Sequence, residues 1–410
     1  MSSQLEEALS RTLTAAASVA PEHPPGLLQE VEAGHRKRRR RGYAAIAGVA
    51  VFAMVGGVAL AFGGLPGVGR GPGVPAAQGA QRPIEEVWPE AYHALSAKLD
   101  DGRKHYPELM INDHELLVTT SASLEVADEI WIIDLDDQRA RRVAFLPEPH
   151  DDQDLYASHF TVGSGHVVWW DSYTENGKPY ARIWKAPLSG GEPTLVSRVS
   201  GPYGSLDDGL VVADGTVYLS HSRVGGVRQV PLSGGEATAV ADTRGYHILQ
   251  WPWVGKPASG PLKPADESEG GQFTTIRNVE TDDVREAVEP DGVRAVACHV
   301  TYCVGVKADP ESEGKRELGS FRRDGSEYRP LSARLGLEAI PVWDRFLVMH
   351  SGKGFGLYDL KTGKSGDFGI EPDGDGGMTL PRTSAPEARL MSWSIDDGKA
   401  YAILDLAAIR

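Results

Sequence analysis

Two kinds of hydrophobic patterning divide this chain near residue 84. From Tyr43 to Phe62 twenty residues run without a charge (YAAIAGVAVFAMVGGVALAF). At the helical rise they span about 30 Å, the thickness of a bilayer's hydrocarbon core. Beyond residue 84 the pattern changes to short stretches in which apolar and polar positions alternate. These stretches are rich in β-branched and aromatic residues and are broken by Gly, Pro, Asn and Asp. Such alternation marks strands with one buried face.

Ahead of the uncharged run, Leu5, Leu9 and Leu13, with Ala8, Thr12 and Ala16, recur at helical spacing and give one apolar face. Pro21, Pro24 and Pro25 end that pattern, and Leu27, Leu28 and Val31 begin another. A helix this short is marginal in water, so its apolar face suits either a membrane surface or a cytoplasmic partner. Arg36, Lys37, Arg38, Arg39, Arg40 and Arg41 then stand directly before the run, and no charge follows it until Arg70. Positive charge resists translocation, so the asymmetry is a topology signal that holds the N-terminus in the cytoplasm. A cleaved secretory signal would share this order and offer Ala59-Leu60-Ala61 as its cleavage site. Its apolar region would then exceed the usual length of about 7–15 residues. The reading is a single-pass anchor: a cytoplasmic leader over 1–42, a transmembrane helix over 43–63 and a Gly/Pro-rich tether over 64–83. A folded extracytoplasmic domain follows over 84–410.

Within that domain one phrase repeats. Ile183-Trp184-Lys185-Ala186-Pro187-Leu188-Ser189-Gly190-Gly191-Glu192 returns 44 residues later as Val227-Arg228-Gln229-Val230-Pro231-Leu232-Ser233-Gly234-Gly235-Glu236. Each copy reads as a strand, a two-residue Gly-containing turn and a second strand. Weaker copies lie at Ile130–Asp137, Thr275–Asp282, Ser320–Gly325, Phe355–Gly363 and Tyr401–Leu406. Leu135, Leu188, Leu232, Glu280, Asp324, Leu360 and Leu406 mark a period of about 45 residues, the size of a four-stranded propeller blade. The expected fold is therefore all-β: a β-propeller of about seven blades, the last completed by an N-terminal strand around Ile84–Trp88. Six blades are the alternative, because the final repeat lacks a clear fourth strand.

Composition sharpens this picture. With 48 Gly and 27 Pro among 410 residues the chain is too turn-rich for a mainly helical enzyme. Residues 83–410 carry 33 basic and 52 acidic side chains, a net of −19, which argues against a nucleic-acid partner.

The basic leader, single anchor, Gly/Pro tether and I-W-x-x-P-L-S-G-G-E repeats together resemble the actinobacterial membrane-anchored TolB-like (WD-repeat-like) propeller proteins. The stretch from Ile84-Glu85-Glu86-Val87-Trp88-Pro89 to Leu116-Leu117-Val118 is similar to the start of their propellers. The resemblance implies an extracytoplasmic binding or sensing propeller, in some settings a membrane partner of extracytoplasmic-function sigma factors. The His/Cys zinc signature of many anti-sigma domains is missing here, since no Cys precedes residue 298.

Candidate chemistry is sparse. Cys298 and Cys303 are the only cysteines, and the alternating apolar residues on both sides predict a hairpin with His299–Tyr302 as its loop, which would place the two thiols opposite each other. Outside the cytoplasm they are expected to form a disulfide. As metal ligands with His299 they would leave a tetrahedral shell incomplete. The acidic loops Asp134-Leu135-Asp136-Asp137 and Asp373–Gly377 lack EF-hand spacing and read as turns. Gly352–Gly356 lacks P-loop spacing, and no nucleophile elbow or H-E-x-x-H occurs. No catalytic, cofactor-binding or metal-binding residue is assigned, and no cofactor is expected. Most tryptophans are expected between blades, and the insertion Gly255–Gly271 is the loop expected to shape a binding face. Three functional classes follow: a tethered binding or sensing module, a structural scaffold, and, more distantly, an enzyme acting at the propeller centre. The expected partners are the membrane, an unknown extracytoplasmic ligand or protein, and a cytoplasmic protein docked on Leu5, Leu9 and Leu13.

Overall fold

The computed structural model describes residues 82–410 apart from 124–125, 148–157, 177, 201–208, 221–224, 257–271, 309–315, 332–334, 336–338, 352–353, 371–379 and 384–386. The leader, the basic run Arg36–Arg41, the segment 43–63 and residues 64–81 of the tether lie outside the described residues. So do residues 257–271 of the insertion and the loop Asp373–Gly377. Among the described residues no helix is long and apolar enough to cross a membrane.

The alternating segments form seven antiparallel sheets, one for each sequence marker. Five have four strands in chain order, spanning residues 105–145, 158–200, 210–239, 247–286 and 293–330; these are blades one to five. Blade six has three strands, β22 (Phe346–Ser351), β23 (Gly354–Asp359) and β24 (Ser365–Asp367). A lone antiparallel bridge from Leu335 to Met349 stands where the other blades place their inner strand. In blade seven, β25 (Leu390–Ile395) and β26 (Ala400–Asp405) are likewise preceded by the bridge Arg382–Ser392. The outer strand of blade seven comes from the other end of the chain. It is β1 (Tyr92–Ser96), which pairs with β26 from Tyr92↔Leu404 to Ser96↔Ala400. This N-terminal strand closes a seven-bladed ring.

Apolar side chains fill every junction between neighbouring blades. Leu117, Ile130, Val167 and Trp169 join blades one and two; Val168, Ile183, Val217 and Val230 join two and three. Val227, Ile248 and Val254 join three and four, Leu249 and Ala297 join four and five, and Val304 with Leu347 joins five and six. Phe346, Trp393 and Leu404 join six and seven, and Leu116, Val118 and Ile403 join seven and one. A single blade would expose both faces, whereas the ring buries them.

Two expectations are corrected. Residues Ile84–Val87 form a short helix, α1, not the closing strand. Pro83 sets the chain's approach, and Glu85 and Glu86 place negative charge on its first turn, where the helix dipole favours it. α1 buries Ile84, and Trp88 just beyond it packs edge-on against Phe346 at 6.4 Å. The closing strand lies five residues beyond α1 because this helix fills the base of the blade six–seven junction. The repeat's turn is also longer than two residues. It occupies 188–193, with Gly190 at φ 97° and Gly234 at φ 106° in the second copy. The extra length lays Gly191 N–H on the carbonyl of Val143 in the preceding blade.

Candidate functional site

The inner strands deviate from plain pairing in a repeated way. In blades one, two, four and five the register between first and second strand shifts, at Pro107/Leu109, Ser158/Thr161, Ile248/Gln250 and Ala295/Ala297. A bulge adds one residue on the inner strand and re-aims its side chain. In blade one the extra residue is Glu108, in β2 (His105–Met110) against β3 (Glu115–Ser123). Glu108 is half-buried.

Around Glu108 the closure between blades seven and one gathers polar groups. Thr119 Oγ1 donates to Glu108 Oε1 at 2.8 Å. Arg382, on the inner bridge of blade seven, lies close enough to favour the ionised carboxyl. Burial outweighs both, and the Glu108 carboxyl is held above the usual carboxylate range. Burial first, and then Tyr106, push the Tyr401 hydroxyl up to about 12. His105 is buried and its ring lies 5.8 Å from that of Tyr401. Its Nε2 donates to the carbonyl of Ser96 at 2.7 Å, which fixes the neutral tautomer with a lone pair on Nδ1. That Nδ1 has no partner among the described residues. Burial lowers the His105 pKa, opposed by the Ser96 bond. The result is a carboxyl inclined to hold its proton, with the Arg382 guanidinium, a phenol held neutral at Tyr401 and a neutral His105 imidazole close by. Displaced titratable groups gathered in one place make this closure the candidate site.

None of these residues belongs to a sequence motif. One signal pointed to them: Pro107, which within a sheet is confined to edges and bulges. It lies on an inner edge strand next to the bulge. Arg382 and Tyr401 reach the site only because the ring closes.

The residues singled out from sequence fare differently. Cys298 and Cys303 pair directly across β18 (Val293–Cys298) and β19 (Tyr302–Ala308) and form a disulfide in the first hairpin of blade five. His299 Nδ1 lies 3.1 Å from Asp344 Oδ1. Burial opposes the Asp344 charge, but hydrogen bonds from His299 and Thr301 prevail and hold its carboxyl below the usual range. Arg323 clamps the same corner through the carbonyls of Phe273, Thr274, His299 and Val300. Burial lowers its pKa to about 10. This corner ties blades four, five and six together and is structural. The loop at Asp134 is a turn, its carboxylate accepting the N–H groups of Asp136 and Asp137. Trp169, Trp170 and Trp393 are buried between blades. Trp184 instead donates to Asp171 at 3.1 Å, beside the Arg182–Asp171 pair. Leu5, Leu9, Leu13 and Arg36–Arg41 lie outside the described residues.

No family model matches this sequence, and no curated protein does. Among solved structures it is similar to an oligogalacturonate lyase in complex with manganese, at 14% identity and TM-score 0.42, covering 78% of this chain and 92% of that one. It is also similar to a putative TolB from Agrobacterium tumefaciens, at 14% identity and TM-score 0.30, covering 62% and 93%. A third is the C-terminal WD40 domain of Sif2, at 9% identity and TM-score 0.39, covering 76% and 98%. The propeller assignment rests on strand order and closure, not on these likenesses.

Proposed function

We propose that this chain is a membrane-tethered binding propeller whose ligand site lies in the channel at the blade seven–one closure. The observation that carries this reading is Glu108, the extra residue of a bulge on the inner strand, half-buried, bonded by Thr119 and felt electrostatically by Arg382 of blade seven. An apolar lining with a few convergent polar groups is the usual form of a small-molecule site. The reading is binding without turnover. It is supported by the fixed main-chain partner of His105 and the hydroxyl partner of Glu108. The tether reading rests on the uncharged segment 43–62 and the basic run before it, which orient the propeller outside the cytoplasm. In this arrangement Leu5, Leu9 and Leu13 relay occupancy to a cytoplasmic partner. A scaffold role is the second reading, favoured by Phe145, Leu195, Val284 and Val288, about half exposed on or beside outer strands.

Thermal melts of the full-length chain in detergent, against a panel of small metabolites, test the binding claim. A ligand that raises the midpoint in wild type but not in Arg382→Gln is the expected result; equal shifts in both contradict it. Protease added to intact cells should remove the propeller and spare residues 1–42. Capture of the same cytoplasmic proteins by wild-type leader and by Leu5→Asp/Leu9→Asp would favour the scaffold.

A further inference from the structure

We propose that the turn at Trp343 and Asp344 is a strained latch across the seam between blades five and six, able to let go locally while the ring stays closed. This goes beyond the binding reading and does not depend on it. The turn is tight. Val342 and Phe346 exchange main-chain hydrogen bonds of 2.8 and 2.9 Å, and Arg345 N–H donates to the carbonyl of Val342 at 3.1 Å. Its two central residues, Trp343 and Asp344, sit at φ 52° and 51°. Primed turns of this kind need left-handed residues at both places and favour Asn-Gly. A tryptophan in the first of them is strained, and such strain persists only where neighbours hold it. Two neighbours do so, on opposite sides. Asp344 Oδ1 accepts the N–H groups of Thr301 at 2.8 Å and Tyr302 at 3.4 Å in blade five. Trp343 packs, partly buried, against the blade six–seven core.

The side that receives Asp344 is rigid. The disulfide closes the loop from Cys298 to Cys303, and Arg323 fixes the carbonyls of His299 and Val300. Within that loop His299 cannot satisfy every group that faces it. Its Nδ1 lies 2.9 Å from the Val300 amide nitrogen and 3.1 Å from Asp344 Oδ1. Its buried Nε2 has no partner among the described residues. An imidazole nitrogen either donates or accepts. As a donor, Nδ1 serves Asp344 and leaves the Val300 N–H without an acceptor. As an acceptor, it serves Val300 and turns a lone pair on the carboxylate. One arrangement grips the turn and the other releases it, and neither satisfies all three groups. A half-satisfied buried network joined to a strained turn makes a two-state element. The moving part is the turn, because the loop it grips is pinned by the disulfide and by Arg323.

Native-state hydrogen exchange of the full-length chain in detergent, read at single amides, tests the latch. The N–H groups of Thr301 and Tyr302 are expected to exchange through local opening, about tenfold or more faster than those of Val304 and Val306 further along β19. The pair Trp343→Gly and Trp343→Ala isolates the strain, since both remove the indole and only glycine takes φ > 0 without cost. With a turn that relaxes as the latch opens, both amides exchange about tenfold more slowly in the glycine variant than in the alanine one. Asp344→Asn fits the same backbone but gives up the charge, and should speed both amides about fivefold or more. Equal rates in the glycine and alanine variants would mean that the turn does not relax, and would overturn the latch. So would unchanged exchange in Asp344→Asn. Thr301 and Tyr302 exchanging no faster than Val304 in the wild-type protein would mean a seam that opens only with the whole ring, and this comparison stands even where a variant fails to fold.

Discussion

The junction between blades two and three and the junction between blades seven and one do the same architectural task with different materials. The first joins the two near-identical repeat copies. Its interior is Val168, Trp170, Ile183, Val196, Val217, Leu219 and Val230, and its polar links end on main chain. Lys185 Nζ donates to the carbonyl of Leu232 and Ser197 Oγ to that of Gly235. The second is stitched from the two ends of the chain. It buries Leu95, Leu116, Val118 and Ile403, but also admits His105, Glu108, Thr119 and Tyr401. Arg389 spans its rim, pairing with Asp405 in blade seven and Asp113 in blade one. Buried polar groups are costly unless satisfied, so a junction that tolerates them is selected for something besides stability.

The largest effect that separates the two should come from cutting the closure. Removing residues 82–96 takes away β1 and leaves β26 with an open edge. The expected outcome is loss of a cooperative melt, and a ring that still melts as one unit would deny β1 its role. Within the regular junction, Ile183→Ala should cost about 2–5 kcal/mol in denaturant titrations, as a fully buried aliphatic side chain does. The disulfide lies outside both junctions and calibrates them. Replacing Cys298 and Cys303 with alanine should cost about 2 kcal/mol, the loop-entropy value for so short a ring. Smallest should be Lys185→Met, which removes one partly exposed link and should change stability by about 1 kcal/mol or less.

The regular junction was readable from sequence, and the closure in kind, an N-terminal strand completing the last blade, but not in place. Leu135, Leu188, Leu232, Glu280, Asp324, Leu360 and Leu406 all follow the strand next to the outermost of their blade, because a Gly-bearing turn and its apolar flank are local features. Counting them yields seven blades. The closing strand was expected at Ile84–Trp88, where β-branched and aromatic residues suggested it, and lies instead at Tyr92–Ser96. What decided between them is tertiary: Ile84 and Trp88 are needed as a plug against Phe346 and Leu404. The site was least legible, since its parts come from opposite ends of the chain and from a bulge that only strand pairing creates. The disulfide was legible because its six residues carry the whole geometry.

The most direct test of the account is the pH dependence of stability in Glu108→Gln against wild type. Burial holds the Glu108 carboxyl above its unfolded value of 4.5. The native state therefore gains from the bound proton below that value and loses this gain as pH rises through the raised folded value. Glutamine does not titrate, and His105, common to both proteins, cancels in the difference. Unfolding free energies measured from about pH 4.5 to about pH 8 should show the variant gaining on wild type as pH rises, then levelling off. A difference that stays flat, or that moves in favour of wild type at higher pH, would contradict a buried Glu108 carboxyl at the closure.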